Sequence, residues 1–580
     1  VSLLLNPDQQ VGVEAVDGDY VMIAGPGAGK TRVLTERYLR MRARGIPDKD
    51  ILNLTFTNAA ATEMVERVGL LNSAEVFRTF HSFCLDLMKR ERAYILFPLC
   101  PTIIPVRGEQ FMLMKDLLKI YPPITSYHAL SDQIAEWKAQ NISPERAKSQ
   151  EFDNGIRYFY ALAYQDYEKK QREQGWLDFD SLMKEAVNLL EVNEDVKKRN
   201  QRKYIAVDEC QDTDTTQFRL LQLLYNGNIF VVGDENQLIY EWRSAQAGNL
   251  TNFSRTFRGA KTLYLGANYR STQRLVEFFK KILPVDNGLA SHMVCWITKL
   301  TAKEIENDFE FRKQDPLFKF ISLDDWIKKW EGKPPQFIEY SNEDEEANEV
   351  LNQISSRGIV DESAILARTN RQLQLIQRRA MNRNIKAEIL GKKNVWQENE
   401  VKHLIDLTRE SMFDPRPAAT VMKDLIKSHN MVHRYANTKS NPLYSKDPIE
   451  NLNDIVRMAG RKSKATGQPL TVLEFLDWMR KITFMRRTKT EPILTLSTVH
   501  QAKGREWKNV FVVGCDQGVM PHREGELLEE QRIFFVACSR AADQLQISFN
   551  KVRSQFLNDF VEDIEVFGED DGIPLHQREG

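Results

Sequence analysis

Between an apolar run and a helical pattern, the segment VMIAGPGAGKTRVL (Val21 to Leu34) sets three glycines, a lysine and a threonine. In a strand–turn–helix order, successive backbone N–H groups of such a turn converge on phosphate oxygens, and the N-terminus of the following helix adds a positive dipole. Gly25, Pro26, Gly27, Ala28, Gly29, Lys30, Thr31 and Arg32 make up the candidate phosphate turn. Its glycines permit close approach, Lys30 reaches the terminal phosphates and Thr31 can ligate magnesium. Ala24 stands where the strict pattern has its first glycine. A loose match of this kind arises by chance in roughly a few per cent of long chains. The competing reading is a glycine turn that opens an ordinary helix.

A second element decides between them. In YIAVDECQDTD (Tyr204 to Asp214) an apolar strand runs into adjacent acids. This puts Asp208 and Glu209 at the carboxyl edge of a sheet, where α/β proteins bind ligands. Asp208 can hold magnesium, directly or through water, and Glu209 can orient and activate an attacking water. Alone, such a pair is as often an exposed turn. Together with Lys30 and Thr31 it describes a site for Mg2+ and a hydrolysable nucleotide.

These groups need a scaffold, and the chain supplies the pattern for one. Short runs rich in Val, Ile and Leu recur at Tyr20 to Ile23, Ile51 to Phe56, Tyr204 to Val207, Ile229 to Val232, Ala364 to Leu366, Ile493 to Leu496 and Val510 to Val513. Each precedes a turn and a helical pattern, the signature of parallel sheets covered by helices. Helix-like, charged stretches separate the clusters of strands. The expected organisation is two α/β core domains, each interrupted by a mainly helical insertion. The first core takes residues 1–90 and 191–265 around an insertion at 91–190. The second takes 266–407 and 491–580 around an insertion at 408–490, with the architecture of 285–333 left open. The acidic VEDIEVFGEDDG from Val561 reads as a solvated tail.

Composition removes several classes of function. With 580 residues, 42% hydrophobic and 28% charged, the chain is a multidomain globular protein, and no apolar run approaches the length of a membrane span. The beginning VSLLLNPDQQ has no basic region, which reads against a secretory signal, so a cytoplasmic or nucleoid-associated location is expected. Lys plus Arg number 80 against 81 Asp plus Glu, so a nucleic-acid site must be a local groove rather than a bulk polycation. The six cysteines are scattered, giving neither a zinc site nor a disulfide framework.

The order of these and further motifs resembles the superfamily 1 helicases of the UvrD/Rep type along nearly the whole chain. The segments that carry the likeness are LNPDQ from Leu5, TFTNAAATEMVERV from Thr55, TFHSFC from Thr79, VGDENQLIYEWRSA from Val232, LGANYRST from Leu265, AILARTN from Ala364, LSTVHQAKGREW from Leu496 and EEQRIFFVACSRA from Glu529. The resemblance implies two RecA-like parallel-sheet P-loop core domains and an ATP-dependent DNA helicase moving 3′ to 5′. It implies that Gln9 reads the adenine edge, Tyr269 stacks on the base, Glu506 meets the ribose and Gln237 senses the terminal phosphate. It assigns Arg270 and Arg540, both expected in the second core, to the charge that develops on the transferred phosphoryl group. Departures from the family pattern are Cys210 for an aromatic, Glu235 and Asn236 for acids, Gln531 for an arginine and Ser539 for a threonine. None removes a group with a direct chemical role.

A strand motor without sequence preference needs flat groups that stack on bases and contacts that track phosphates. Phe56, Tyr240 and Trp242 are the stacking candidates, and Thr57, Asn58, His81 and His500 the polar ones. The two histidines are equally well explained as structural groups. Basic residues Arg461, Lys462, Lys464, Arg480, Arg486, Arg487 and Lys489 fit duplex phosphates or a solvated helix face alike. Asp178 and Asp180 resemble a carboxylate pair, but a helix cap explains Asp178 better. Expected partners are single-stranded DNA, junctions of single- and double-stranded DNA and replication or repair proteins, with no membrane and with a monomer or weak self-association. Three other readings stand beside the helicase: a translocase that strips proteins or remodels recombination intermediates, a non-hydrolysing ATP-gated binding module, and an RNA track.

Overall fold

The structure is a computed structural model that describes residues 5–69, 73–91, 102–103, 109–152, 154–239, 250, 253–257, 259–285, 287–299, 305–306, 308–309, 322–391, 399–412, 414–432, 449, 452–453, 455–460, 469–485 and 492–566. Compactness divides the chain into two units, Val1–Pro334 with Glu524–Ser539, and Pro335–Arg523 with Arg540–Gly580.

The first unit is built on a six-stranded sheet in the order Phe77–Thr79, Ile51–Thr55, Arg202–Val207, Tyr225–Gly233, Tyr20–Ala24, Lys261–Leu265, with every neighbour parallel. Alternate side chains of one strand enter different cores: Ile205 and Val207 lie in one hydrophobic cluster, Tyr204 and Ala206 in another. Both faces are therefore buried, which is why these strands read as continuous apolar runs rather than alternating ones. The strands containing the expected runs appear where the sequence placed them, each longer or shorter by one to a few residues.

The inserted helices of the first unit include Glu109–Ile120, Tyr127–Ala139 and Ile156–Gln174, packed on their own cluster around Leu117, Ile134, Trp137 and Tyr164. The helix Phe179–Val192 faces the sheet instead, through Leu182, Ala186 and Leu190. Asp178 is its N-cap, accepting from the Ser181 N–H at 2.6 Å, so the capping explanation holds for this residue; Asp180 is exposed.

The second unit carries a seven-stranded sheet in the order Ala387–Ile389, Leu494–Thr498, Ser363–Ala367, Trp507–Val512, Ala541–Phe549, Gln336–Glu339, Ile564–Val566, again parallel throughout. Helices Asn399–Glu410, Ala418–Ser428 and Val472–Met485 share a separate cluster around Leu404, Met422 and Phe475.

Residues 266–334, expected in the second core, fall by compactness within the unit that begins at Val1. The reason is local: Lys261–Leu265 pairs with Tyr20–Ala24 as an edge strand, and the chain continues past the glycine turn, where the Tyr269 N–H donates to the Gly27 carbonyl at 3.0 Å. Arg270 falls in the same compact unit. The acidic stretch from Val561 is not all solvated tail, since Ile564–Val566 pairs with Phe337–Glu339 at the sheet edge. Within 285–333, the short strand Val294–Cys295 pairs with Ala267–Asn268, and Trp296, Phe309 and Trp326 form a small core of their own. No helix among the described residues is long and apolar enough to cross a membrane.

Candidate active site

The strand Tyr20–Ala24 ends in the glycine turn, and the helix Lys30–Ala43 starts directly after it. Gly27 and Gly29 have φ of 67° and 87°, a left-handed backbone that costs glycine nothing and a side-chain-bearing residue strain. Space forbids side chains as well: a Cβ on Gly27 would lie 2.6 Å from Arg270 Cβ and 2.8 Å from Asn268 Oδ1. No side chain caps the N-terminus of this helix at Gly29, and a helix N-terminus favours an anion. Lys30 stands at this end, with Nζ 3.6 Å from Glu209 Oε1.

Glu209 and Asp208 follow the central strand Arg202–Val207. The Asp208 N–H still bonds to the Leu54 carbonyl, which fixes Asp208 at the sheet edge, and Asp208 Oδ1 accepts from the Glu209 N–H at 3.0 Å. Asp208 is 4% exposed. Burial, with the Glu209 charge beside it, pushes its carboxyl up to about 7 against the pull of Lys30. Two acids facing one lysine in a buried edge are short of positive charge, and a divalent cation would reverse that balance. Among the described residues no group of three or more His, Cys, Asp or Glu is arranged to hold a metal. Magnesium does not require one, since it is ordinarily bound by one or two protein oxygens together with substrate phosphates. Asp208 therefore fits Mg2+, Thr31 follows Lys30 in the first turn of the helix, and the glycine turn before them fits the phosphates.

The neighbouring strand Tyr225–Gly233 delivers a short turn, Glu235–Gln237. Asp234, fully buried, caps it: Oδ1 accepts from the Asn236 N–H at 3.0 Å and Oδ2 from Gln237 Nε2 at 2.7 Å. Burial raises the Asp234 carboxyl, with Lys30 opposing. Gln211 Nε2 donates to Glu209 Oε2 at 2.7 Å, and its Oε1 accepts from the Asp234 N–H at 3.0 Å. Lys30, Glu209 and Gln237 are thus brought together in one bonded set.

The opposite side of the turn holds the base-site candidates. Gln9 and Asn6 form a capping box at the start of Pro7–Glu14, and Gln9 Nε2 also donates to the Ala28 carbonyl at 3.2 Å. Asn6 Nδ2 donates to the Tyr269 hydroxyl at 2.6 Å. Tyr269 stacks on Trp296, ring centres 5.5 Å apart and planes 20° apart. Arg270 Nη1 donates to the Ser539 carbonyl at 3.1 Å, and Asn268 Oδ1 takes the Arg270 and Ser271 N–H groups. In the second unit, Arg540 is 1% exposed and its Nη1 donates to the carbonyl of Arg505, the neighbour of Glu506.

The strand-contact candidates are more dispersed. Phe56 is half-buried at the exit of Ile51–Thr55, and the Thr57 hydroxyl caps the helix that begins at Asn58; Thr57 and Asn58 are exposed. His81 is half-buried, its imidazole pushed down by burial, and lies edge-on to the exposed ring of Phe179 with centres 5.7 Å apart. His500 sits on the short helix Val499–Ala502 of the second unit. Tyr240 and Trp242 lie outside the described residues, as do Arg461, Lys462, Lys464, Arg486, Arg487 and Lys489.

Sequence reasoning missed Gln211, Asp234, Asn268, Asn6, Trp296 and Phe179. Only Asn6 carried a usable signal, because Asn-x-x-Gln before a helix is a capping-box pattern.

The geometry agrees with what the chain resembles. A family model described as the UvrD/REP helicase N-terminal domain matches residues 5–258, and one described as the UvrD-like helicase C-terminal domain matches 263–415 and 416–552. A Staphylococcus aureus protein named ATP-dependent DNA helicase PcrA is 28% identical over 95% of this chain and 84% of its own length. A Staphylococcus epidermidis protein of the same name is 27% identical over 97% of this chain and 87% of its own.

Proposed function

The chain belongs to the UvrD/Rep family of helicases, and from that premise we propose that it is an ATP-dependent DNA helicase that travels 3′ to 5′ on single-stranded DNA and separates duplex at junctions. The observation that carries the hydrolytic part is the set Lys30, Glu209, Gln211, Asp234 and Gln237, joined within hydrogen-bond or ion-pair reach at the carboxyl edge of one sheet. Lys30 and the glycine turn bind the phosphates, and Thr31 and Asp208 would hold magnesium, which when bound would offset phosphate charge. Glu209 orients the attacking water and takes its proton as the water oxygen bonds to the terminal phosphorus and ADP leaves.

Tyr269 and Gln9 take the adenine, Gln237 reports the terminal phosphate, and Arg270, Arg540 and Glu506 act on the same nucleotide. Phe56, Thr57, Asn58, His81, Tyr240, Trp242 and His500 are assigned to the strand. The exposed Phe179 ring against His81 supports a stacking role there, since an apolar ring left in water beside a polar contact is what a base would cover.

The test is steady-state ATP hydrolysis without nucleic acid, with single-stranded DNA and with single-stranded RNA. DNA is expected to stimulate it most. Lys30→Ala should abolish turnover, and Glu209→Gln should still bind ATP while losing roughly 10²- to 10⁴-fold in kcat. A Lys30→Ala protein that hydrolyses ATP at the wild-type rate would overturn the assignment.

A further inference from the structure

Glu209 has to hold a water in line with a phosphorus, so the groups bonded to its carboxylate set where that water sits. Its backbone is left-handed, with φ 50°, and its side chain is 24% exposed. A side chain with several rotatable bonds is positioned by the groups that bond its end. Lys30 touches one oxygen, Oε1, but Lys30 is itself required by the phosphates. The other oxygen, Oε2, is held by Gln211.

Gln211 is 1% exposed and sits in the short turn Cys210–Asp212 that follows Glu209. Its amide is used at both ends, Nε2 to the Glu209 carboxylate and Oε1 from the Asp234 N–H. A half-turn of the amide would set its oxygen against the carboxylate and its NH2 against an N–H, so the two partners fix one orientation. Asp234 then passes to Gln237 through its own Oδ2. Gly233 is part of the same device: a Cβ there would lie 2.4 Å from Gln211 Oε1, so the strand gives up a side chain where the amide oxygen lies.

Building on the ATPase reading, we propose that Gln211 is the positioning residue of the hydrolytic site, anchoring Glu209 and tying it to the Asp234–Gln237 turn. The water-orienting group and the phosphate sensor are then set by one amide, and a shift of either is felt by the other. When Lys30 is engaged by phosphate, Oε2 stays held by Gln211.

Steady-state hydrolysis at saturating single-stranded DNA, together with equilibrium binding of the fluorescent analogue mant-ATP, tests this on the full chain. Gln211→Met removes both bonds at similar volume. It should lower kcat by roughly 10- to 100-fold, the usual range for losing a group that orients a reacting one, with the KM for ATP and the mant-ATP affinity within about threefold. Gly233→Ala keeps the amide but displaces it, and should give the same split. In a Glu209→Gln background, Gln211→Met should cost less than about twofold more, because it acts through Glu209.

Wild-type kcat in either variant would overturn the inference, as would a full multiplicative loss in the double variant, or a fall in nucleotide affinity equal to the fall in kcat. Should Gln211→Met fail to fold, Gly233→Ala decides alone. A wild-type protein without DNA-stimulated hydrolysis would overturn the reading beneath the inference. A stimulated wild type with an indifferent Gln211 overturns the inference only.

Discussion

At the scale of single residues, the second unit has a buried acid with no part in the chemistry proposed above. Glu346 is 5% exposed and takes three donors: the Gly514 N–H at 2.9 Å, the Ser548 hydroxyl and Asn550 Nδ2 at 2.6 Å. Burial still outweighs them and raises its carboxyl to about 7. Since its ordinary value is about 4.5, the folded state binds the proton more tightly. Its contribution to stability is therefore complete below about pH 4.5 and is lost as pH rises through 7, by at most about 1.4 kcal/mol per pH unit. Glu346→Gln should flatten the fall in urea midpoint between pH 5 and pH 8; an unchanged slope would show that Glu346 does not titrate in this range. The residues legible in the sequence, Lys30, Thr31, Asp208 and Glu209, lie in contiguous strings whose spacing is itself the chemistry. Gln211, Asp234 and Asn268 were not legible, because their roles depend on which strand lies beside which. Nothing in DECQD says that the glutamine reaches across to the strand Tyr225–Gly233.

Among elements, the first helical insertion is joined to the core by a buried ion pair. Lys138, 1% exposed at the end of Tyr127–Ala139, donates to Asp178 at 2.8 Å and to the Ser181 hydroxyl at 2.7 Å, while Tyr167 and Gln171 from Ile156–Gln174 reach the same Asp178 oxygen. The Lys138 carbonyl in turn accepts from Thr216, on the helix that follows the Asp208–Glu209 segment. Three helices and the nucleotide-side helix thus meet at one charge. Burial acts to raise the Asp178 carboxyl, and Lys138 with Tyr167 overcomes it, holding it down at about 2. Lys138→Met leaves Asp178 buried and unpaired and should cost about 3–5 kcal/mol in unfolding experiments. Adding Asp178→Asn, which can still cap the helix, should recover part of that loss; if the single variant is as stable as wild type, the pair carries no weight. The strands were legible because both faces of each sheet are buried and their apolar runs are unbroken. The edge strand Ile564–Val566 was not, since half of its surroundings are solvent and its acids read as tail. Within 285–333 the described residues pack through aromatics, Trp296, Trp326 and Trp330, which leave no repeating stripe in the sequence.

For the whole molecule, the chain passes between its two units at Pro334, at Arg523 and at Ser539. The last crossing separates Ser539, whose carbonyl Arg270 holds, from Arg540. The helix Leu527–Cys538 just before it packs on the Glu235–Gln237 turn within the first unit, so the chain leads from that turn's neighbour directly to Arg540. The proposed function adds to this that nucleotide turnover is converted into movement along DNA. Movement, rather than hydrolysis, is the central claim. Its most direct test is the time at which the protein reaches a fluorophore on the 5′ end of single-stranded DNA of increasing length, after mixing with ATP and a trap for released protein. Arrival time should rise in proportion to strand length, with no such arrival signal at a 3′ label and none with Lys30→Ala. Arrival independent of length, or seen equally at both ends, would contradict directional, ATP-driven translocation.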